Sequence, residues 1–346
     1  MNIETYEIDI STPNGKCFNE LVLKYKKSIQ KVILKLKCYY ENYLSYIKLG
    51  INAYILQGGI IMYKDEILEI SKILEITFEE CLMMQLTYEF FSACTTAVKY
   101  QYDIKDYILV RTMDWDLPEL KDITVKLIFK NSSVHHPGGA LFEAIGWAGC
   151  VGIFTGIKRA DPEIDSYAIA LNYRRTLTPD IKENIAALFK GYFPCSFYLR
   201  KILSEKESCA NVSLESLQKV FFVAPCYLTI LKRGKEILQP SNPKLSTRQY
   251  KNDSYILIRG RTNYKIKKGD SKFLIQTNID DVSPSSACDN ILYSKERYTH
   301  MSRLYIGKIL QNLNGVISHI EKFPVTNEET IYKCIMTTKE FLYIDV

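Results

Sequence analysis

Polar and apolar residues alternate from Glu4 to Ile10, the period-two pattern of a short strand. From Leu21 to about Leu49 the pattern lengthens to a helical one. At about 100° per residue, Val22, Tyr25, Ile29, Val32, Ile33 and Leu36 share one face, and Lys24, Lys27, Lys31 and Lys35 share the opposite face. A basic amphipathic helix of this kind has two uses. It can pack its apolar face into a core with the lysines solvated, or lie on a membrane surface beside a lipid substrate. Lys64 to Gln85 carries two further helical patterns, the second opened by the capping box of Thr77 and Glu80. After Ala93 strands dominate. Thr95 to Val98 and Tyr107 to Arg111 flank a polar turn at Asp103 to Asp106, and Ile123 to Phe129 alternates. Phe142 to Ile157 reads as a glycine-rich hairpin, and Tyr167 to Asn172 as another strand. Helical patterns follow over Pro179 to Ser204 and Ser213 to Val220. Tyr227 to Leu231, Tyr255 to Arg259 and Phe273 to Thr277 predict strands, Glu296 to about Asn312 a helix, and Thr330 to Met336 and Phe341 to Ile344 closing strands. The Lys-, Pro-, Asn- and Ser-rich stretch 233–253 predicts a long loop. A helical first quarter, then a mostly antiparallel sheet with helices in blocks, is an α+β pattern.

Composition narrows the function classes. The 346 residues suit one large or two ordinary domains. A hydrophobic share of 47% with 24% charged residues excludes disorder, collagen and coiled coil. A net charge of +6 is too mild for a nucleic-acid binder. Ten cysteines without a CxxC pair exclude a disulfide-dense scaffold and disfavour a zinc ribbon or thioredoxin motif, so no metal or cofactor is expected. The amino terminus carries Glu4, Glu7 and Asp9 and no apolar core, unlike a signal peptide. The longest apolar stretch, roughly Phe142 to Ile157, is shorter than the ~20 residues of a spanning helix. These features read as a soluble, cytosolic chain.

The candidate chemistry centres on Cys94. It opens the sheet region as Cys94-Thr-Thr-Ala-Val, and Arg111-Thr-Met-Asp114 returns on the next strand. A hairpin of that length brings Arg111 and Asp114 beside Cys94. A neighbouring guanidinium favours thiolate over thiol, and the thiolate is the nucleophile. The four histidines, His135, His136, His300 and His319, stand in no papain-like or caspase-like setting. Another base is available if the chain is cut before Cys94. The freed α-amino group, with an ordinary pKa of about 7.7–8.0, would sit on the same residue as the sulfur, and Asp114 could orient it. The plainer alternatives are an inert buried thiol at Cys94 and a strand-end ion pair of Arg111 with Asp114. Cys150 and Cys226 read as core.

These residues carry a resemblance. Cys94-Thr-Thr-Ala-Val, Arg111-Thr-Met-Asp114 and Ile123-Thr-Val-Lys-Leu resemble the start of the mature catalytic subunit in N-acylethanolamine acid amidase and acid ceramidase, amino-terminal-nucleophile hydrolases near choloylglycine hydrolase. Tyr6-Glu-Ile-Asp-Ile, Leu86-Thr-Tyr-Glu89, Gly149-Cys-Val-Gly152, Glu183-Asn-Ile-Ala-Ala-Leu-Phe189, Ala224-Pro-Cys-Tyr227, Gln276-Thr-Asn278 and Thr330-Ile-Tyr332 match further segments in order, over nearly the whole chain.

The resemblance implies an αββα sandwich, with residues 1–93 as a helical lead and 94–346 as the catalytic part. It implies cleavage between Ala93 and Cys94, with both chains staying associated. Arg111 and Asp114 fall beside the nucleophile, Asn278 on the Asn that helps hold the oxyanion, and Arg297 near a supporting Arg. The implied reaction is amide hydrolysis of N-acylethanolamines or related fatty-acid amides, ceramide included, in a lysosome. Asn172 and Tyr173 fall at the family's substrate side, where Tyr173 replaces a Glu linked to self-cleavage. Trp115, Phe142 and Trp147 are candidates for an acyl channel. The competing readings are an unprocessed lipid-binding pseudo-enzyme and a choloylglycine- or penicillin-type amidase.

Overall fold

Two sheets lie face to face between helical layers in the computed structural model. It describes residues 3–39, 41, 44–56, 61–89, 93–133, 140–159, 166–175, 181–205, 210–232, 236–237, 249–250, 253–260, 262–268, 273–280, 293–306 and 312–346. The larger sheet runs, in spatial order, β1 (Thr5–Asp9), β4 (Thr124–Lys130), β5 (Phe142–Trp147), β6 (Thr155–Lys158), β7 (Tyr167–Tyr173), β8 (Cys226–Lys232), β11 (Asp253–Arg259) and β12 (Tyr264–Lys268). The smaller runs β13 (Phe273–Gln276), β2 (Ala93–Gln101), β3 (Asp106–Asp114), β14 (Thr330–Met336) and β15 (Phe341–Asp345). Strand β1 lies parallel to β4, and the other pairings in both sheets are antiparallel. Within the stretch expected as a long loop, the described residues form a two-stranded pair, β9 (Glu236–Ile237) with β10 (Gln249–Tyr250).

Period two decides what each strand faces. On β2 and β3, Val98 and Leu109 enter the core between the sheets, with Ala168, Ala170 and Leu231 opposite. Their neighbours Ala97, Ile108 and Val110 face the other way, against α8 (Ser294–Ile306) and α9 (Leu313–Ile320). On β7, Tyr167, Ile169 and Leu171 pack outward, into the core shared with α1 (Asn19–Tyr39), α3 (Lys64–Leu74), α4 (Phe78–Leu86) and α6 (Cys195–Ser204). The lead segment is therefore not a separate body: β1 is an edge strand of the larger sheet, and its helices share that sheet's core.

The stripe of α1 settles between its two expected uses. Val22, Ile29, Val32, Ile33 and Leu36 are all buried in this core, so their face is not open to lipid. The lysines remain outside, Lys31 and Lys35 each 3.9 Å from Glu119. No helix among the described residues is long and apolar enough to cross a membrane.

Three boundaries differ from the sequence pattern. The expected helix from Leu21 to Leu49 is two, α1 and α2 (Leu44–Leu56). The run Tyr39-Tyr-Glu-Asn-Tyr43 is poor in helix formers, which an apolar stripe alone does not report. The expected helix from Pro179 to Ser204 is also two, α5 (Ile181–Phe189) and α6, because Gly191 takes a left-handed φ of 73° and Pro194 precedes α6. A short α7 (Ala210–Lys219) follows. The last expected helix stops early as α8, and α9 starts afresh where Asn312 accepts the Gly315 N–H at 2.7 Å.

Candidate active site

Cys94 is the second residue of β2 and pairs across the hairpin with Met113, as Thr96 pairs with Arg111. Cross-strand partners project to the same face, so Cys94, Thr96, Arg111 and Met113 all point between the sheets. There Arg111 Nη2 lies 3.2 Å from Cys94 Sγ. The guanidinium is fully buried and held at its other corners: Nη1 donates to Asn172 Oδ1 at 2.8 Å, and Nε to the Tyr332 hydroxyl at 3.2 Å. Tyr332 in turn shares a hydrogen bond with Thr155 at 2.8 Å. Burial works against the Arg111 charge, but the Cys94 sulfur and the Tyr332 and Tyr88 hydroxyls outweigh it and keep the guanidinium protonated.

Asp114 lies on the opposite face of the same hairpin, because it is three residues, an odd number, from Arg111. It pairs with Ala93 rather than Cys94. Its carboxylate accepts from Arg297 Nη1 at 3.1 Å and from the Thr330 hydroxyl at 2.7 Å. Burial raises its pKa, with the Arg297 charge pulling the other way. The first turn of α8 supplies Arg297, which also donates to Thr95 Oγ1 at 2.8 Å and to Asn278 Oδ1 at 2.9 Å. Asn278 joins the two faces. Its Oδ1 accepts the Cys94 backbone N–H at 2.9 Å, and its Nδ2 donates to the Tyr173 carbonyl at 2.8 Å. Asp114 therefore reaches the Cys94 nitrogen through Arg297 and Asn278, not directly.

The geometry thus brings together Cys94, Arg111, Asn172 and Asn278 in one network, with Asp114 and Arg297 behind the strand. Tyr173 joins it by its backbone carbonyl. Ala93, on the upstream side of the expected cut, is buried beside Asp114. Trp115 and Trp147 pack edge to face at 5.6 Å, within an aromatic cluster that includes Phe154 and Tyr88. Tyr88 carries the cluster to the sulfur: its hydroxyl is 3.5 Å from Cys94 Sγ and donates to the Leu171 carbonyl. Phe142 is not part of this cluster. It sits at the far end of β5 from Trp147, stacked on Phe129 at 4.2 Å.

Sequence reasoning passed over Tyr88, Thr155, Thr330, Tyr332 and Glu329. The resemblance spans Leu86–Glu89 and Thr330–Tyr332 without marking a functional side chain in either, and no local pattern singles out Thr155 or Glu329. Glu329 lies close to Asp114; burial, with Asp116, Asp114 and Glu328 adding, pushes its carboxyl up to about 7. His300 and His319 stack on each other at 4.0 Å between α8 and α9, while His135 and His136 lie outside the described residues. Cys150 and Cys226 are buried free thiols.

The chain matches no family model. It is 31% identical to an acid ceramidase of Heterocephalus glaber over 294 residues, 79% of this chain and 67% of that protein. It is 25% identical to a probable acid ceramidase of Caenorhabditis elegans over 378 aligned positions, 96% of this chain and 82% of that protein. Among solved structures, the Caenorhabditis elegans ortholog of N-acylethanolamine-hydrolysing acid amidase superposes with a TM-score of 0.52 at 20% identity. That superposition covers 71% of this chain and 93% of that one, and it shows the shared αββα architecture.

Proposed function

The chain belongs to the acid ceramidase and N-acylethanolamine acid amidase family, and from that premise we propose that it is a lipid amidase whose nucleophile is Cys94. One observation carries the reading: a fully buried guanidinium, braced by Asn172 and Tyr332, sets one nitrogen 3.2 Å from the Cys94 sulfur. In the uncut chain the Cys94 nitrogen is an amide and cannot act as a base. Self-cleavage supplies one: the sulfur attacks the Ala93 carbonyl, the Ala93–Cys94 bond breaks, and water releases the lead chain from the thioester. The freed amine then serves the substrate. Sγ attacks the acyl carbonyl, the amine protonates the leaving nitrogen, and the same amine activates the water that releases the fatty acid.

Asn278 is the oxyanion donor in this reading. Its amide carries two N–H groups, one of them on the Tyr173 carbonyl. Trp115 and Trp147 are assigned to the acyl chain. N-acylethanolamines are the favoured substrates, with ceramide as the alternative. Because β1, α1, α3 and α4 are built into the common core, both chains stay associated after the cut. With the apolar face of α1 buried, any contact of α1 with an anionic lipid surface would fall to its exposed lysines.

A second reading is favoured by one position. Tyr173, buried and uncharged near neutral pH, stands where the family carries a glutamate. On that reading the chain stays intact and binds lipid without turnover. Intact mass after incubation at acidic and at neutral pH separates the two. A new chain beginning at Cys94, followed by turnover of a fluorogenic fatty-acid amide, supports the amidase. An intact chain at both pH values supports the binder.

The brace on Arg111 makes its own prediction. Tyr332→Phe removes the acceptor of the Arg111 Nε–H and leaves that donor buried, a loss of order 1 kcal/mol. The expected result is a roughly 5–10-fold lower kcat/KM on the fluorogenic amide, with the fold intact by circular dichroism.

A further inference from the structure

We propose that Glu89 is a positioning residue for self-cleavage, fixing the upstream arm of the Ala93–Cys94 peptide; the inference rests on the self-cleavage proposed above. Glu89 ends the short turn Thr87–Glu89, five residues before Cys94. Its side chain is buried, and the mechanism makes no use of it. One carboxyl oxygen accepts the N–H of Cys195, the first residue of α6, at 2.8 Å, and the N–H groups of Ser196 and Ala224 also donate to the carboxyl. Its own backbone carbonyl accepts from Asn184 on α5 at 2.7 Å. One residue is thus held at both side chain and backbone, by two helices and the approach to β8.

The downstream arm is held just as firmly, Cys94 by Asn278 at its nitrogen and by Arg111 at its sulfur. Five residues span at most about 17 Å, so anchoring Glu89 limits how far the Ala93 carbonyl can stray from the sulfur. Attack on the Ala93 carbonyl requires the sulfur to approach to about 3–3.5 Å in a set direction. Freeing either arm multiplies the conformations of the segment and thins out those that react.

Among the described residues the Cys195 thiol interacts with the carboxyl, and that thiol lies 3.4 Å from the Cys226 thiol and near the Arg259 guanidinium. Burial pushes the Glu89 carboxyl up to about 8 in spite of its three N–H donors. It is therefore neutral through the acidic and neutral range, and glutamine is its close mimic.

The test uses the full chain and its Glu89→Gln and Glu89→Ala variants, followed by intact mass over time with a melting curve on each. The expected result is cleavage of Glu89→Gln within ~3-fold of the parent and of Glu89→Ala at least ~10-fold slower, with the melting curve retained. Equal rates in parent and Glu89→Ala overturn the inference, as does a Glu89→Gln variant as slow as Glu89→Ala. Should Glu89→Ala not fold, Asn184→Ala decides, since it frees the backbone carbonyl of the same residue: cleavage at the parent rate overturns the inference, and cleavage at least ~3-fold slower with the melting curve retained supports it. If no chain is cut at any pH, the self-cleavage reading falls and takes this inference with it. A defect confined to Glu89→Ala cannot be mistaken for that outcome.

Discussion

Replacing Cys94 by alanine should leave the chain in one piece at every pH and lower amide turnover by at least ~10³-fold. The effect is large because one atom serves both reactions. Without Sγ there is no attack on the Ala93 carbonyl, so no free amine forms, and no acyl-enzyme forms on the substrate either. The fold should survive. Arg111 loses its sulfur partner but keeps Asn172 and Tyr332, and the alanine side chain differs from cysteine by one atom in a site already close-packed. Cys94→Ser separates the two requirements. The hydroxyl keeps a hydrogen-bonding group opposite Arg111 but is a far weaker nucleophile at its ordinary pKa, so cleavage should be slow rather than absent. Intact mass and the fluorogenic amide read both variants, and processed Cys94→Ala protein would remove Cys94 from the reaction.

The largest effect on stability is expected from Glu66→Ala, at about 3–5 kcal/mol. Arg200 of α6 has a side chain 1% exposed, inside a wall formed by Tyr63, Phe129 and Phe18, whose ring centroids lie 4.1, 5.2 and 5.3 Å away. Glu66 of α3 meets it with both carboxylate oxygens, Oε1 at 2.8 Å from Nη2 and Oε2 on Nη1. Removing the carboxylate strands a guanidinium where water cannot reach it. Its remaining partner is the Val151 carbonyl, 3.3 Å from Nη1. The pair of replacements Glu66→Met and Arg200→Met should recover most of the loss, since an apolar pair carries no desolvation cost there. Urea unfolding of the parent and the two variants measures this. A single Glu66→Ala variant as stable as the parent would show that the pair holds nothing. The ion pair also has a topological role: it joins a helix upstream of Cys94 to one downstream.

Parity explains which parts of the site were legible in the sequence. Once the turn is placed near Asp103, counting back along β2 and β3 pairs Thr96 with Arg111 and Cys94 with Met113, so the cysteine and the arginine must share a face. The same count puts Asp114 on the other face, which spacing alone did not reveal because nearness along a hairpin says nothing of side. Arg297 and Asn278 came from a resemblance across long connections; no local pattern places them. Tyr332, Thr155 and Glu89 act through partners 95 to 221 positions away, and such distances leave no periodic trace. Strand β12 went unread for a different reason. Its five residues are all exposed at the sheet edge, so no burial alternation is written into Tyr264-Lys-Ile-Lys-Lys268. The break after α1 and the start of α9 were missed because an apolar stripe reports which face is covered, not where the chain turns.

Asn278 Oδ1 receives two donors, the Cys94 nitrogen and Arg297 Nη2, each at 2.9 Å. While that nitrogen is an amide, sharing the oxygen is of little electrostatic consequence. An amino terminus at the same place would stand beside a permanent positive charge, with only one oxygen between them. Like charges at that range disfavour the ammonium form, so the freed amine should lose its proton more readily than an ordinary amino terminus, whose pKa is about 7.7–8.0. Arg297 would then act as a proton-repelling neighbour that keeps a weak base available in surroundings acidic enough to silence most amines.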